Sequence, residues 1–168
     1  AMADLPKVCP YLHIPAQSGS DRILKAMNRR YRASEYLDLL DKARDIVAGI
    51  AIAGDFIVGF PGETQQDFND TVELVNKAQY KNIFVFKKSP QPGTKAIEKL
   101  EYNNDAETKK QRNIELLDIQ NQIAEKYNER FLDKTVEVLV EGPSKKPHLN
   151  AAENNNNPQL VGRTATDY

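Results

Sequence analysis

The chain has 168 residues, 40% of them apolar and 28% charged, and 23 Lys and Arg against 24 Asp and Glu leave a formal net charge of -1. That excludes a disordered chain and allows one domain with a core, plus a small second piece. It gives no global charge argument for a nucleic-acid partner, so polyanion contact must come from local clusters: Lys25 with Arg29, Arg30 and Arg32, Lys87 with Lys88, or Lys145 with Lys146. Cys9 is the sole cysteine, which excludes an internal disulfide and any cluster or structural zinc held by several thiolates of this chain.

Leu12 to Pro15 is a short strand candidate, ended by a proline that has no amide to donate. Gly19 takes a turn and Ser20 caps a helix with Asp21 in its first turn and Ile23, Leu24 and Met27 inward. Tyr36, Leu39, Leu40, Ala43 and Val47 recur at helical spacing and predict a second helix over Ala33 to Val47. Its start is poorly capped, so a break is expected near Tyr31. Ile50 to Val58 is the best strand, and its nearly continuous apolar end predicts cover on both faces. Gly59, Pro61 and Gly62 then turn the chain, and Thr64 with Asp67 forms an N-cap for a helix marked by Phe68, Val72, Leu74, Val75 and Ala78. Asn82 to Phe86 is the next strand. Short strands alternating with longer helices predict α/β architecture with a parallel sheet.

A loop from Ser89 to Asn104 leads to a long helix, Asp105 to Phe131, whose one-sided stripe lacks a sustained heptad and predicts packing along a sheet or a bridge to the next domain. Thr135 to Glu141 alternates as a half-exposed strand, Gly142-Pro143-Ser144 is a turn, and Leu160 to Thr164 is a second strand after an Asn-rich stretch. Two strands alone are marginal, so this tail is expected to be a truncated β domain.

Polar, Gly-bearing turns follow three successive strands: His13-Ile14-Pro15-Ala16-Gln17-Ser18-Gly19-Ser20, Asp55-Phe56-Ile57-Val58-Gly59-Phe60-Pro61-Gly62-Glu63-Thr64, and Phe86-Lys87-Lys88-Ser89-Pro90-Gln91-Pro92-Gly93-Thr94. Active sites of parallel α/β enzymes sit at such ends, so the three predict a mouth for a small molecule. Gln17, Ser18 and Ser20 can hydrogen-bond a sugar or a carboxylate without adding charge. Asp55 either orients a ligand or holds a loop, and Glu63 can instead cap amides of its own turn. His13 reads as a satisfied structural residue or as a ligand or base, and the glycines serve either tight turning or close approach of a nucleoside. His13 and His148 share no repeated spacing, which argues against a metal site. The second turn lacks the Gly-Lys-Ser/Thr end of a phosphate loop.

In these three segments the sequence resembles the radical S-adenosylmethionine methylthiotransferases. The resemblance runs from about Val8 to Thr166, and Val136-Glu137-Val138-Leu139-Val140-Glu141-Gly142 with Val161-Gly162-Arg163-Thr164 is similar to the opening of the appended RNA-binding TRAM β-barrel. Within the family, His13 and Gln17-Ser18-Gly19-Ser20 favour the tRNA-modifying branch, with the branch acting on isopentenylated adenosine preferred over the one acting on threonylcarbamoyl-adenosine. The resemblance implies a partial TIM-like βα barrel that handles S-adenosylmethionine on a 4Fe-4S cluster, with sulfur and a methyl group inserted at C2 of N6-isopentenyladenosine beside the anticodon. It places Gln17, Ser18, Ser20, Asp55 and Gly59 near the cofactor, and Lys87, Ser89, Gln91 and Gly93 near substrate. It divides the chain into 1–104, the carboxyl-terminal half of the barrel; 105–132, a connecting helix; and 133–168, an incomplete TRAM-like domain.

The sequence departs from the family where it matters for catalysis. The Cys-x3-Cys-x2-Cys cluster motif is absent, Gly54 stands where Thr or Ser is usual, Gln91 where Arg is usual, and Arg32 where a capping Thr is usual. The expectation is therefore a carboxyl-terminal portion, inactive alone, whose cluster ligands lie in an amino-terminal region that would be its partner beside tRNA. A non-catalytic RNA-binding fragment is the alternative. The expected protein is cytoplasmic, free of membrane, and monomeric when full length.

Overall fold

A computed structural model describes residues 2–5, 7–89, 104–144 and 159–166. Its elements are β1 (Tyr11–His13), α1 (Asp21–Ala26), α2 (Ala33–Ile46), β2 (Ala51–Val58), α3 (Gln65–Ala78), β3 (Asn82–Lys87), α4 (Ala106–Glu129), β4 (Leu139–Pro143) and β5 (Leu160–Arg163). The first three strands form a parallel sheet in the order β1-β2-β3, and β4 pairs with β5 as an antiparallel ribbon. The α/β fold with parallel strands is therefore observed.

The helix starts follow from local chemistry. Ser20 accepts from the Ile23 N–H, Asp105 accepts from the Thr108 N–H, and Thr64 and Asp67 cap each other reciprocally across the first turn of α3. The break near Tyr31 is present. Asn28 takes a left-handed φ of 59°, and the N–H groups of Asn28 and Arg29 return to the carbonyls of Lys25 and Leu24, closing α1. Arg32 offers α2 no side-chain acceptor. The Glu35 carboxylate accepts from the Arg32 N–H at 2.8 Å instead, and Asp21 reaches over from α1 to accept from the Ala33 N–H at 2.8 Å. A residue from the preceding helix thus does the capping that position 32 cannot.

Side chains alternate across the sheet, and the register sorts them into two faces. Leu12, Ile52, Phe56, Val58, Ile83 and Val85 share the face against which the helices pack. Phe56 and Tyr80 meet edge to face at 5.7 Å, and Tyr36, Leu40, Phe68, Val75, Leu116 and Ile123 complete this core. Gly54 belongs to the same face; a Cβ there would lie 3.0 Å from the Tyr80 ring, so the missing Thr or Ser gives the ring its room. Leu116 and Ile123 place α4 along the sheet, one of the two arrangements its stripe predicts.

Four expectations are corrected. β2 is covered by helices on one face only. Its other face, with Ala51 and Ala53 buried but Asp55 and Ile57 partly exposed, carries no described helix. β1 ends at His13 rather than Pro15, which has no N–H to donate, and Gln17 then forms an isolated bridge to Phe56. The tail strand runs over Leu139–Pro143, not Thr135 to Glu141, with an irregularity between Val140 and Gly142. Gly142 and Pro143 pair with Val161 and Leu160, so the expected turn is strand. Among the described residues no helix is long and apolar enough to cross a membrane.

Candidate functional site at the carboxyl ends of the parallel strands

The carboxyl ends of β1, β2 and β3 lie side by side and lead into the segments starting at Ile14, Gly59 and Lys88. Three tyrosine hydroxyls set the first of these. Tyr36 donates to the Ile14 carbonyl at 2.8 Å, Tyr31 to the Ala16 carbonyl at 3.1 Å, and Tyr80 to the Tyr36 oxygen at 3.0 Å. Burial pushes the Tyr36 hydroxyl up to about 12 and raises Tyr80 and Tyr31 as well, so all three are donors at neutral pH.

Held this way, Gln17 adopts a left-handed φ of 69° in a three-residue turn closed by the Ser18 N–H on the Ala16 carbonyl, at 2.9 Å. Its N–H donates to the Asp55 carbonyl at 2.7 Å and its carbonyl accepts from the Ile57 N–H at 2.9 Å. Such backbone strain in a non-glycine residue clusters at ligand sites. Ser18 and Ser20, only 1% and 2% exposed, are bonded inward. Ser18 shares a hydrogen bond with Thr71, and Ser20 donates to Asp67 at 2.6 Å. Their hydroxyls fasten the turn to α3 instead of facing a ligand. Burial alone would raise Asp67, but bonds from Arg22, Ser20 and Thr64 outweigh it and hold the carboxyl well below the usual carboxylate range.

The second turn is fixed from α4. Gly59 has a φ of 70°, and a Cβ there would strike the Lys109 stem. Its N–H donates to the Glu63 carboxylate at 2.8 Å, and the same oxygen accepts from Arg112. Glu63 thus caps an amide of its own turn. Asn104 accepts from Arg112 at 3.0 Å and donates to the carbonyls of Phe60 and Glu63, each at 3.1 Å. Lys109 and Asn113 carry the contact on to β3, donating to the carbonyls of Lys88 and Val85.

Below these turns is the sheet face that carries no described helix, bearing Tyr11 and His13 of β1, Asp55 and Ile57 of β2, and Phe84 and Phe86 of β3. His13 Nε2 lies 2.8 Å from Asp55 Oδ1, and the imidazole stacks on Phe84 with centroids 5.5 Å apart. Phe84 and Phe86 are 42% and 54% exposed. Among the residues expected at the site, Gln17, Asp55 and Gly59 are brought together. Lys87 pairs with Val58 and so belongs to the helix-side face, while Ser89 is exposed just beyond it. Gln91 and Gly93 lie outside the described residues. The His13–Asp55 pair was missed as a pair, although a polar residue interrupting each of two apolar strands was its signal. The Glu63–Arg112 pair had none, because Arg112 reads as one charge on an amphipathic helix.

The profile of the Radical SAM superfamily matches residues 1–75. The tRNA-2-methylthio-N(6)-dimethylallyladenosine synthase of Rhodopirellula baltica is 44% identical over 166 residues, covering 98% of this chain and 34% of that protein. The synthase of the same name from Acetivibrio thermocellus is 48% identical over 145 residues, covering 86% of this chain and 30% of the relative. Among solved structures, the radical SAM enzyme coproporphyrinogen III oxidase (HemN) from Escherichia coli superposes with a TM-score of 0.57 at 21% identity, covering 68% of this chain and 27% of that one, which shows a shared fold. The chain spans about a third of the length of the curated relatives it matches. The chain is thus similar along nearly all of its length to tRNA-2-methylthio-N(6)-dimethylallyladenosine synthases, and its first 75 residues match the Radical SAM superfamily.

Proposed function

We propose that this chain is part of a tRNA methylthiotransferase that places sulfur and a methyl group at C2 of N6-isopentenyladenosine next to the anticodon. The observation that carries the reading is the 44% identity to a synthase named for that product across 98% of the chain. The whole protein would work in the cytoplasm, as a monomer, on tRNA. An incomplete TRAM-like tail in 133–168 would contribute RNA contacts beside the half-barrel of 1–104 and the helix of 105–132.

The chain's residues do not fit a 4Fe-4S cluster. Cys9 is the sole cysteine and is exposed, and among the described residues no group of three or more His, Cys, Asp or Glu side chains could hold a metal. An iron–sulfur centre would have to be ligated by another part of the protein. A nucleoside fits better: the strand ends offer an uncharged turn at Gln17, a His–Asp pair and two exposed aromatic rings. S-adenosylmethionine supplies hydrogen abstraction and the methyl group in this family. In this chain, Gln17 and Gly59 would shape the cofactor's seat, with Ser18 and Ser20 anchoring it from beneath. Asp55 would orient His13, and Lys87 and Ser89, with Gln91 and Gly93, would border the substrate side.

The test is complementation. The complete gene containing this chain, placed in a bacterium lacking the synthase, should restore 2-methylthio-N6-isopentenyladenosine in hydrolysed tRNA by mass spectrometry. Restoration of a methylthiolated threonylcarbamoyl-adenosine instead would transfer the reading to the sibling substrate. The chain by itself, incubated with iron and sulfide, should develop no stoichiometric cluster absorption that responds to S-adenosylmethionine.

A further inference from the structure

On the sheet face with no described helix, one ring nitrogen of His13 is left without a described hydrogen-bond partner. An ionised carboxylate only accepts, so the 2.8 Å contact with Asp55 requires the proton on His13 Nε2. In the neutral ring His13 Nδ1 is then a lone-pair acceptor, and no described residue donates to it. The ring that carries it is stacked on Phe84 at 30° between planes, so its orientation is fixed from two sides. Phe84 and Phe86 beside it are exposed aromatic surface, of the kind on which a flat base stacks.

We propose that His13 Nδ1 is the acceptor for the N6–H of an adenine-type base seated on this face, with Asp55 as the positioning residue that fixes the tautomer. The proposal rests on the methylthiotransferase reading for the identity of the base. An adenine N6 presents a donor to the lone pair, even when it carries one alkyl group. A guanine presents its O6 acceptor at the corresponding edge and would set lone pair against lone pair. A site built around one N–H rejects the analogue lacking it, because the covered acceptor is left without a partner.

The experiment titrates the chain with N6-isopentenyladenosine and with its N6-methyl derivative, which has no N6–H, following the imidazole nitrogens by NMR. At a pH where the imidazole is neutral, the unliganded chain should show a proton on Nε2 and none on Nδ1. The first nucleoside should bind about tenfold tighter than the second and shift the Nδ1 resonance. His13→Phe keeps a ring over Phe84 and should bring the two affinities together. Asp55→Leu removes the acceptor that holds the proton on Nε2, leaves the tautomer unfixed, and should weaken the preference. S-adenosylhomocysteine is the parallel arm: a His13-dependent interaction confined to it would support the acceptor role and assign the base to the cofactor. Equal binding of the two nucleosides by the unsubstituted chain, together with no Nδ1 response to S-adenosylhomocysteine, would overturn the proposal, as would absence of any binding. Both measurements on the unsubstituted chain stand even if a variant fails to fold. Failure of complementation would instead strike the functional reading and leave the nucleoside discrimination as measured.

Discussion

The two faces of the parallel sheet are made from the same three strands, yet they are chemically opposite. One is packed by α2, α3 and α4 through Leu40, Phe56, Val75 and Leu116, all fully buried. The other carries a histidine, a carboxylate and two exposed phenylalanines, with no described helix over it. The difference teaches that the strand's two-residue repeat separates a face that builds the core from one that offers polar and aromatic groups outward. A change at one residue of β2 acts on folding, while a change at the next acts on whatever meets the bare side.

The sharpest way to break that comparison is Phe56→Ala against Phe84→Ala. The first empties the core and should cost about 3–5 kcal/mol in urea unfolding; the second should stay within about 0.5 kcal/mol. Arg112→Met comes next. It strands the Glu63 carboxylate in the interior and should cost about 3 kcal/mol, with faster hydrogen exchange at the Gly59 amide as the local signature. The acid limb is a smaller effect. Because Asp67 is held below the usual carboxylate range when folded, its ionised form contributes stability above the unfolded-state value of about 4. That contribution is lost as pH falls from there toward the folded value. Asp67→Asn should therefore flatten the decline of stability below about pH 4, measured by denaturation across pH. The smallest effect should come from Asp55→Asn, a partly exposed pair with His13, at no more than about 1 kcal/mol in the same assay.

Much of the first face was legible in the sequence, and little of the second. The Thr64–Asp67 cap and the break before α2 rest on residues three or four apart, so local chemistry reveals them. The bare face was read as covered because an apolar run such as Ile57-Val58 looks alike whether helices lie on one side or both. His13 and Asp55 are 42 residues apart and Glu63 and Arg112 are 49 apart. Their pairing depends on strand register and on where α4 lies, and no spacing rule encodes either. The tail strand was misplaced because Val136 and Val138 alternate as strand residues do, while the ladder actually engages Gly142 and Pro143, which read as a turn.

The hold that α4 keeps on β3 makes the sheet a one-ended template. On the β3 side, side chains of α4 already take the main-chain oxygens of Tyr80, Val85 and Lys88, which an incoming strand would have to contest. β1 forms the opposite margin, with no described strand beyond it. Any additional parallel strand, from the same polypeptide or another, would therefore join in one direction only, extending the sheet away from α4.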